Sequence, residues 1–251
     1  MKYLSFVPLT LLLILSGCIN PKPGYEANRR NTISTDSAYR IAVLDAQVPD
    51  KSKIYHKLTS VQRNKSDSIL VVTWTDYLQY KNDSSGHYNT GTHDIWVTIV
   101  PELSLRMRHE LKKHPENSVD DKLNLRLKQL IGLPEKSNYR YFAEFWVKYD
   151  DLYRPCPDNE IYDCKCGLAF PAHTDTNYIY WFNKQKTDSY SSSDISQLYP
   201  WTQLGYTYDW DPGTKSRIGL SEFIIKRKAN VIYIKTTPTR EYLSSILMNA
   251  K

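Results

Sequence analysis

The chain has 251 residues, with 33 Lys and Arg against 27 Asp and Glu. A surplus this mild, without an arginine-rich patch or a nucleic-acid motif, argues against nucleic acid as a partner, and 9 glycines and 13 prolines argue against a low-complexity chain. The length fits one large domain, and 20 tyrosines suit an extracytoplasmic, β-rich protein.

The first element is a leader. Met1-Lys2 is a short positive start, and Tyr3 to Ile14 ("YLSFVPLTLLLI") is an apolar stretch too short to cross a bilayer as a helix. "LSGC" follows, with small residues that fit an extended chain into a peptidase cleft and a thiol at Cys18 for lipid attachment. Residues 1–17 therefore resemble a bacterial lipoprotein signal peptide with its lipobox. The resemblance implies a lipidated Cys18, a membrane reached through the N-terminal lipid, and a place in the bacterial cell envelope. Ile19 rather than aspartate after the cysteine resembles sorting to the outer membrane. Cleavage would remove one charge, Lys2, and would leave no apolar run long enough to span a membrane. Residues 18–35 hold few large apolar side chains and read as a flexible tether.

Residues 36–251 read as a single globular domain. "SILVVTWTDYLQY" (Ser68–Tyr80) and "IWVTIV" (Ile95–Val100) are rich in β-branched and aromatic residues and predict a hairpin with a long polar loop. "PELSLRMRHEL" fits both a strand and a helix starting at Pro101, and we favour the helix. A clear amphipathic helix follows. It has Ser118 as N-cap, Asp120 and Asp121 in its first turn, an apolar face at Val119, Leu123, Leu127, Leu130 and Ile131, and Gly132 and Pro134 as its stop. Asn138–Tyr149 alternates as a strand. "GLSEFII" and "NVIYIKT" predict a second hairpin turning at Lys226–Ala229. This irregular order predicts an α+β fold, a mainly antiparallel sheet with one or two packed helices.

Cysteine constrains the rest. Cys156, Cys164 and Cys166 in "RPCPDNEIYDCKCG" predict one disulfide, from Cys156 to Cys164 or Cys166, in an oxidising compartment. A zinc site with His173 is the alternative, but its spacing lacks a C-x-x-C pair, so no metal is expected. His87, His93 and Asp94 sit in the long loop and read as solvated, with metal binding or acid–base chemistry as the sharper alternative. His109 and His114 belong with Lys112 and Lys113 to a charged helix face. No hydrolase elbow, zinc helix, phosphate loop or dinucleotide fingerprint is present, and no cofactor is expected. An enzyme built from dispersed carboxylates stays open, with Glu144, Asp209 and Glu222 as candidates. Glu144 and Glu222 interrupt apolar runs ("FAEFW", "LSEFI"), where an ion pair with Arg154 or Arg217 is the expected compensation.

The densest aromatic stretch is "YPWTQLGYTYDWDPG" (Tyr199–Gly213). Tyr206, Tyr208 and Trp210 share one face of a strand, Asp209 lies on the other, and Gly205 marks a bend. We expect the tyrosine face to pack inward while Trp201 and Asp209 reach a cleft beside Arg154 and Asp158. "LYRPCPD" and "YPWTQLGYTYDW" are similar to pieces of uncharacterised bacterial envelope proteins. That resemblance implies that the two stretches meet in one site or one structural junction, and it carries no catalytic residue across. The functional expectation is non-covalent recognition of an envelope glycan or peptide, with Arg154, Asp158, Trp201, Tyr206 and Asp209 as binding residues. An envelope hydrolase and a structural or assembly lipoprotein are the alternatives.

Overall fold

A computed structural model describes residues 33–62, 66–113 and 120–248. The leader, Cys18, the tether as far as residue 32, His114 and the Ser118 cap lie outside the described residues. Nine strands are found among the described residues: β1 (Ser68–Thr75), β2 (Tyr88–Asn89), β3 (Ile95–Ile99), β4 (Tyr141–Lys148), β5 (Leu152–Tyr153), β6 (Tyr206–Tyr208), β7 (Ile218–Ser221), β8 (Phe223–Ile225) and β9 (Asn230–Pro238). Seven form one antiparallel sheet in the order β2-β9-β4-β1-β3-β8-β5, and β6 pairs with β7 in a small second sheet. The fold is α+β with a mainly antiparallel sheet, as the sequence predicts.

The large sheet is curled, and chain length requires it. β8 and β9 stand four positions apart in the strand order, about 19 Å across a flat sheet at about 4.8 Å per strand. The link 226–229 gives at most about 18 Å even fully extended, and it is folded into a turn in which the Ala229 N–H reaches the Lys226 carbonyl at 3.3 Å. Only a bent sheet brings the two strand ends together. The expected hairpin between these strands is therefore not formed: β8 pairs with β3 and β5, whereas β9 pairs with β4 and β2. The physical reason lies in β8, whose three residues are all buried and so need neighbours on both edges. The link is held instead by residues 90–91, with the Thr90 hydroxyl donating to the Lys226 carbonyl at 2.7 Å and the Lys228 N–H to the Gly91 carbonyl at 2.8 Å.

Strand alternation sorts the apolar residues onto two faces. Inside the curl, Val71, Val97, Phe145, Phe223, Ile225 and Val231 close into one core. Outside it, Val72, Trp74 and Phe142 receive the helices. Among the described residues there are five α-helices, more than the one or two expected: α1 (Thr35–Ala46), α2 (Val100–Lys113), α3 (Asp120–Leu130), α4 (Thr176–Tyr190) and α5 (Thr239–Met248). α2 and α3 fall where expected. α3 ends as Gly132 predicts: that residue sits at φ +72°, and the Leu133 N–H returns to the Lys128 carbonyl at 2.9 Å. The other three were missed because tertiary packing supports weakly patterned sequences. α1 is capped by Ser34 and buries only Ala38, Tyr39, Ala42, Val43 and Ala46. α4 is capped by Asp175, which accepts from the Asn177 N–H at 2.8 Å. The predicted strand Ser68–Tyr80 stops at Thr75, since Tyr80 leaves the ladder to pack its ring on Phe145, Tyr88 and Tyr233.

The ribbon 199–210 holds helix ends in place. Helices leave their last carbonyls without partners, and the ribbon supplies donors to two of them. The Gln203 amide donates to the Ala46 and Gln47 carbonyls at the end of α1, both at 3.4 Å. At α3, the Thr207 hydroxyl donates to the Leu130 carbonyl at 2.7 Å, the Trp210 N–H to the Gln129 carbonyl at 3.2 Å, and the Trp210 indole to the Leu133 carbonyl at 3.0 Å. Doing both requires a sharply kinked chain: Gln203 stands at φ +62° and Gly205 at φ +74°.

Candidate functional site

β1 and β3 pair only at Val71–Ile99 and Val72–Thr98. Beyond these positions they splay, β1 staying with β4 as far as Thr75 and β3 turning to β8 from Val97 back to Ile95. The split leaves the β1 edge from Thr73 to Thr75 without a ladder partner on that side. A cavity of about 610 Å³ occupies the split, bordered by residues 72–75 and 95–98, within the size range of small-molecule sites. The end of α3 and the ribbon wall it on the outside, through Leu127, Ile131, Pro200 and Trp201. Gln185 and Ser189 of α4 and His93 and Asp94 of the long loop complete the lining.

Aromatic rings dominate this cavity. Trp74, Trp96, Tyr139, Tyr199, Trp201 and Tyr208 all face it. Trp201 meets Trp96 edge-on at 6.0 Å and leans on Phe182 of α4 at 5.0 Å between centroids, so its ring is fixed from two sides. Its backbone carbonyl accepts from the Tyr190 hydroxyl at 2.5 Å. The indole nitrogen, in contrast, has no hydrogen-bond partner, although the residue is 5% exposed.

Glu222 is the second incomplete group. It lies between β7 and β8, where its N–H donates to the Gly205 carbonyl at 3.0 Å, and it lines the cavity. The residue is half-buried, yet its Oε2 is sealed from solvent and has no hydrogen-bond partner. Burial alone pushes the carboxyl up to about 8, because nothing offsets the loss of water around the charged form. The expected ion pair is absent. Arg154 serves other groups, and Arg217 donates to the Asp211 carbonyl at 3.2 Å. Glu144 does find a cation, Lys235 at 3.5 Å.

The other expected binding residues are placed elsewhere. Asp209 is fully buried and accepts both Arg126 Nη atoms, at 2.9 and 2.7 Å, with Arg106 Nη2 at 3.3 Å. Arg126 also donates to Glu110 at 3.0 Å, so a four-charge cluster joins α2, α3 and the ribbon. Burial disfavours the Arg126 charge, but its bonds to Asp209 and Glu110 outweigh that and hold its proton more tightly than usual. Arg154 is wholly buried and organises the loop that follows it, donating to Asp163 Oδ1 at 3.2 Å and to the carbonyls of Thr59 and Asp163 at 3.0 and 3.1 Å. Asp158 is half-buried in that loop. The anticipated cleft uniting Asp209, Trp201, Arg154 and Asp158 is therefore not formed, since each arginine has its own carboxylate.

The two aromatic and cysteine-bearing stretches do meet, as a packing junction. Cys156 and Cys166 form the disulfide, leaving Cys164 free and exposed, so the Cys₃His zinc alternative has lost two of its thiolates. Leu204 and Tyr206 pack against this disulfide and Leu58. A Cβ on Gly205 would stand 2.6 Å from Arg154 Cδ and 2.7 Å from Cys166 Sγ, so only glycine fits there. Tyr206, Tyr208 and Trp210 are all buried, the first donating its hydroxyl to the Lys53 carbonyl at 2.9 Å and the second to Asp45 Oδ2 at 2.8 Å.

Of the loop residues weighed in the sequence, His93 and Asp94 reach the cavity, while the His87 N–H bonds back to Asp83 within its own turn. Asp94 is committed to α4 and to Arg227, at 3.0 Å from the Trp181 indole and 2.7 Å from the guanidinium. Trp96 and the α4 residues were not singled out in the sequence. A Trp in "IWVTIV" looks like any strand aromatic, and only the splay of β1 from β3 turns it toward a void. The chain matches no protein-family model, and no curated protein or solved structure is significantly similar to it.

Proposed function

We propose that this is a lipid-anchored protein of the bacterial cell envelope whose domain binds a small ligand, a glycan or peptide fragment, non-covalently in the cavity between β1 and β3. The leader ending in "LSGC" supports the anchoring, and the cavity supports the binding. The observation that carries the reading is an aromatic cavity whose lining includes two residues that each keep a polar atom sealed in the wall without a partner, Glu222 at Oε2 and Trp201 at the indole N–H. Unpartnered buried polar groups cost stability, and a ligand toward which these side chains turned would recover that cost. Flat rings offer the apolar faces on which sugars and peptide side chains stack.

A hydrolase reading draws on Glu222, whose raised proton affinity suits a general acid. Binding is favoured because the other cavity carboxylate, Asp94, is held by Arg227 and Trp181 rather than poised beside Glu222. The test is a thermal-shift and tryptophan-quenching screen of short peptides and oligosaccharides, repeated with Trp96→Ala. Trp96 is half-buried, so its loss should weaken binding about tenfold or more while moving the unfolding midpoint little. Ligands that bind the variant as well as the natural protein would place recognition outside the cavity.

A further inference from the structure

The charges around the cavity run against those of the chain. The protein carries 33 Lys and Arg against 27 Asp and Glu, yet among the described residues that line this void there is no lysine or arginine. The charged lining consists of Glu222 and Asp94, with His93 as the remaining titratable nitrogen. Asp94 already holds Arg227, so an anionic ligand would meet the Glu222 carboxyl with no lysine or arginine in the lining to receive it. A neutral one would leave the carboxyl of Glu222 as it stands. We propose that the cavity takes an organic cation, a ligand bearing a primary or quaternary ammonium group, with Glu222 as its counter-ion and the faces of Trp96 and Trp201 as its aromatic walls. This deepens the binding reading above and rests on it.

Three observations converge on that chemistry. Aromatic faces attract ammonium groups through the ring quadrupole, and the attraction strengthens when water is excluded. The rings are fixed in advance: Trp201 is held by Phe182 and Trp96, and by the Tyr190 hydroxyl on its carbonyl. Oε2 of Glu222 has no partner, although every other buried acid described above has one: Asp209 has Arg126, Glu110 has Arg126 and Arg106, and Glu144 has Lys235. The fold pairs its buried acids with cations and omits the partner at the acid that belongs to the cavity lining. Among the described residues no ion pair includes Glu222. Its N–H is taken by the Gly205 carbonyl of the ribbon, it shares the cavity lining with Trp96 and Thr98 of β3 and with Trp201, and the ionisation of the Tyr190 phenol of α4 is opposed by burial first and by Glu222 next among charged groups.

The proton balance of binding follows. Burial raises the pKa of Glu222 to about 8, which makes it a neutral acid at neutral pH. An arriving ammonium favours the carboxylate, so the acid O–H bond breaks, the proton passes to solvent, and a carboxylate–ammonium pair remains. Roughly one proton per ligand should be released near pH 7.

Three probes of near-equal shape and different charge test this: benzylammonium, benzyl alcohol and benzoate, titrated calorimetrically into the full-length protein in two buffers of different ionisation heat. Benzylammonium should bind at least about tenfold more tightly than benzyl alcohol and release close to one proton, and benzoate should not bind. Glu222→Gln should abolish both the preference and the proton release while retaining benzyl alcohol, with folding checked by its unfolding midpoint. Should that variant not fold, proton release by the natural protein decides alone. Equal binding of the amine and the alcohol without proton release would overturn the cation assignment and leave the binding reading standing. Binding of none of the three, nor of any ligand in the wider screen, would remove both. Nα-acetyl-lysine amide and glucosamine, titrated in parallel, distinguish an amine carried on a peptide from one carried on a sugar.

Discussion

Glu222 in the empty protein is a carboxyl whose fold works against its ionisation, and this has a signed consequence for stability. In the unfolded chain it titrates near its ordinary 4.5, and in the fold near 8. Between those values the unfolded state has released a proton that the folded state still holds. The group's contribution is thus fully present below about pH 4.5 and is lost as pH rises through about 8. At about 1.4 kcal/mol per pH unit, the loss across the window is on the order of 3–5 kcal/mol, towards the lower end if water enters the cavity. Glu222→Gln keeps the shape and removes the titration. Denaturant midpoints at about pH 5 and about pH 9 should therefore lie closer together in the variant than in the natural protein. Parallel profiles for the two would mean that the carboxyl is already ionised in the fold. The sequence marked Glu222 as a charge inside "LSEFI", and there the physics was legible. What was not legible was the missing partner, because the absence of a cation depends on which distant elements pack around the residue and not on any local pattern.

At the scale of elements, the ribbon 199–210 explains why aromatic density alone misleads about function. The hydroxyls of Tyr206 and Tyr208 are spent on structure, bonded to Lys53 and Asp45, and Trp210 caps the end of α3. Trp201 alone of the five expected binding residues opens on the cavity, just before the bend that the sequence marks at Gly205. Asp209 is the ribbon's electrostatic anchor, and a buried pair broken on one side leaves an uncompensated charge. Asp209→Asn should cost about 3 kcal/mol or more in urea unfolding, since Arg126 would keep Glu110 at 3.0 Å and only the more distant Asp211, at 3.9 Å, beside it. The double change Asp209→Leu with Arg126→Met removes both charges and should recover part of the loss. A single variant as stable as the natural protein would show the cluster to be solvated and dispensable. Helices α2 and α3 were readable because each carries its own start or stop signal and a full apolar face. α1 was not, since alanines bury it and Gln203 of a distant segment closes its end.

For the whole molecule, the class of fold was legible because β-branched runs and one strong helix fix an α+β composition. The pairing of β8 was not, because a short link between two apolar runs looks like a hairpin whether the sheet is flat or curled. The means of membrane attachment is likewise a whole-molecule question. No helix among the described residues is long and apolar enough to cross a membrane. The net charge is small for 251 residues, so electrostatic attraction to anionic lipid supplies little. In the reading proposed above, acyl chains at Cys18 supply most of the membrane affinity, at about 0.8 kcal/mol per buried CH₂. Cys18→Ser removes the attachment atom and leaves the cavity, the disulfide and the sheet untouched. The variant should either accumulate with its leader uncleaved or leave the detergent-rich phase for the aqueous one, while benzylammonium binding by its folded domain stays unchanged. Unaltered phase partitioning together with unaltered mass would show that Cys18 carries no lipid.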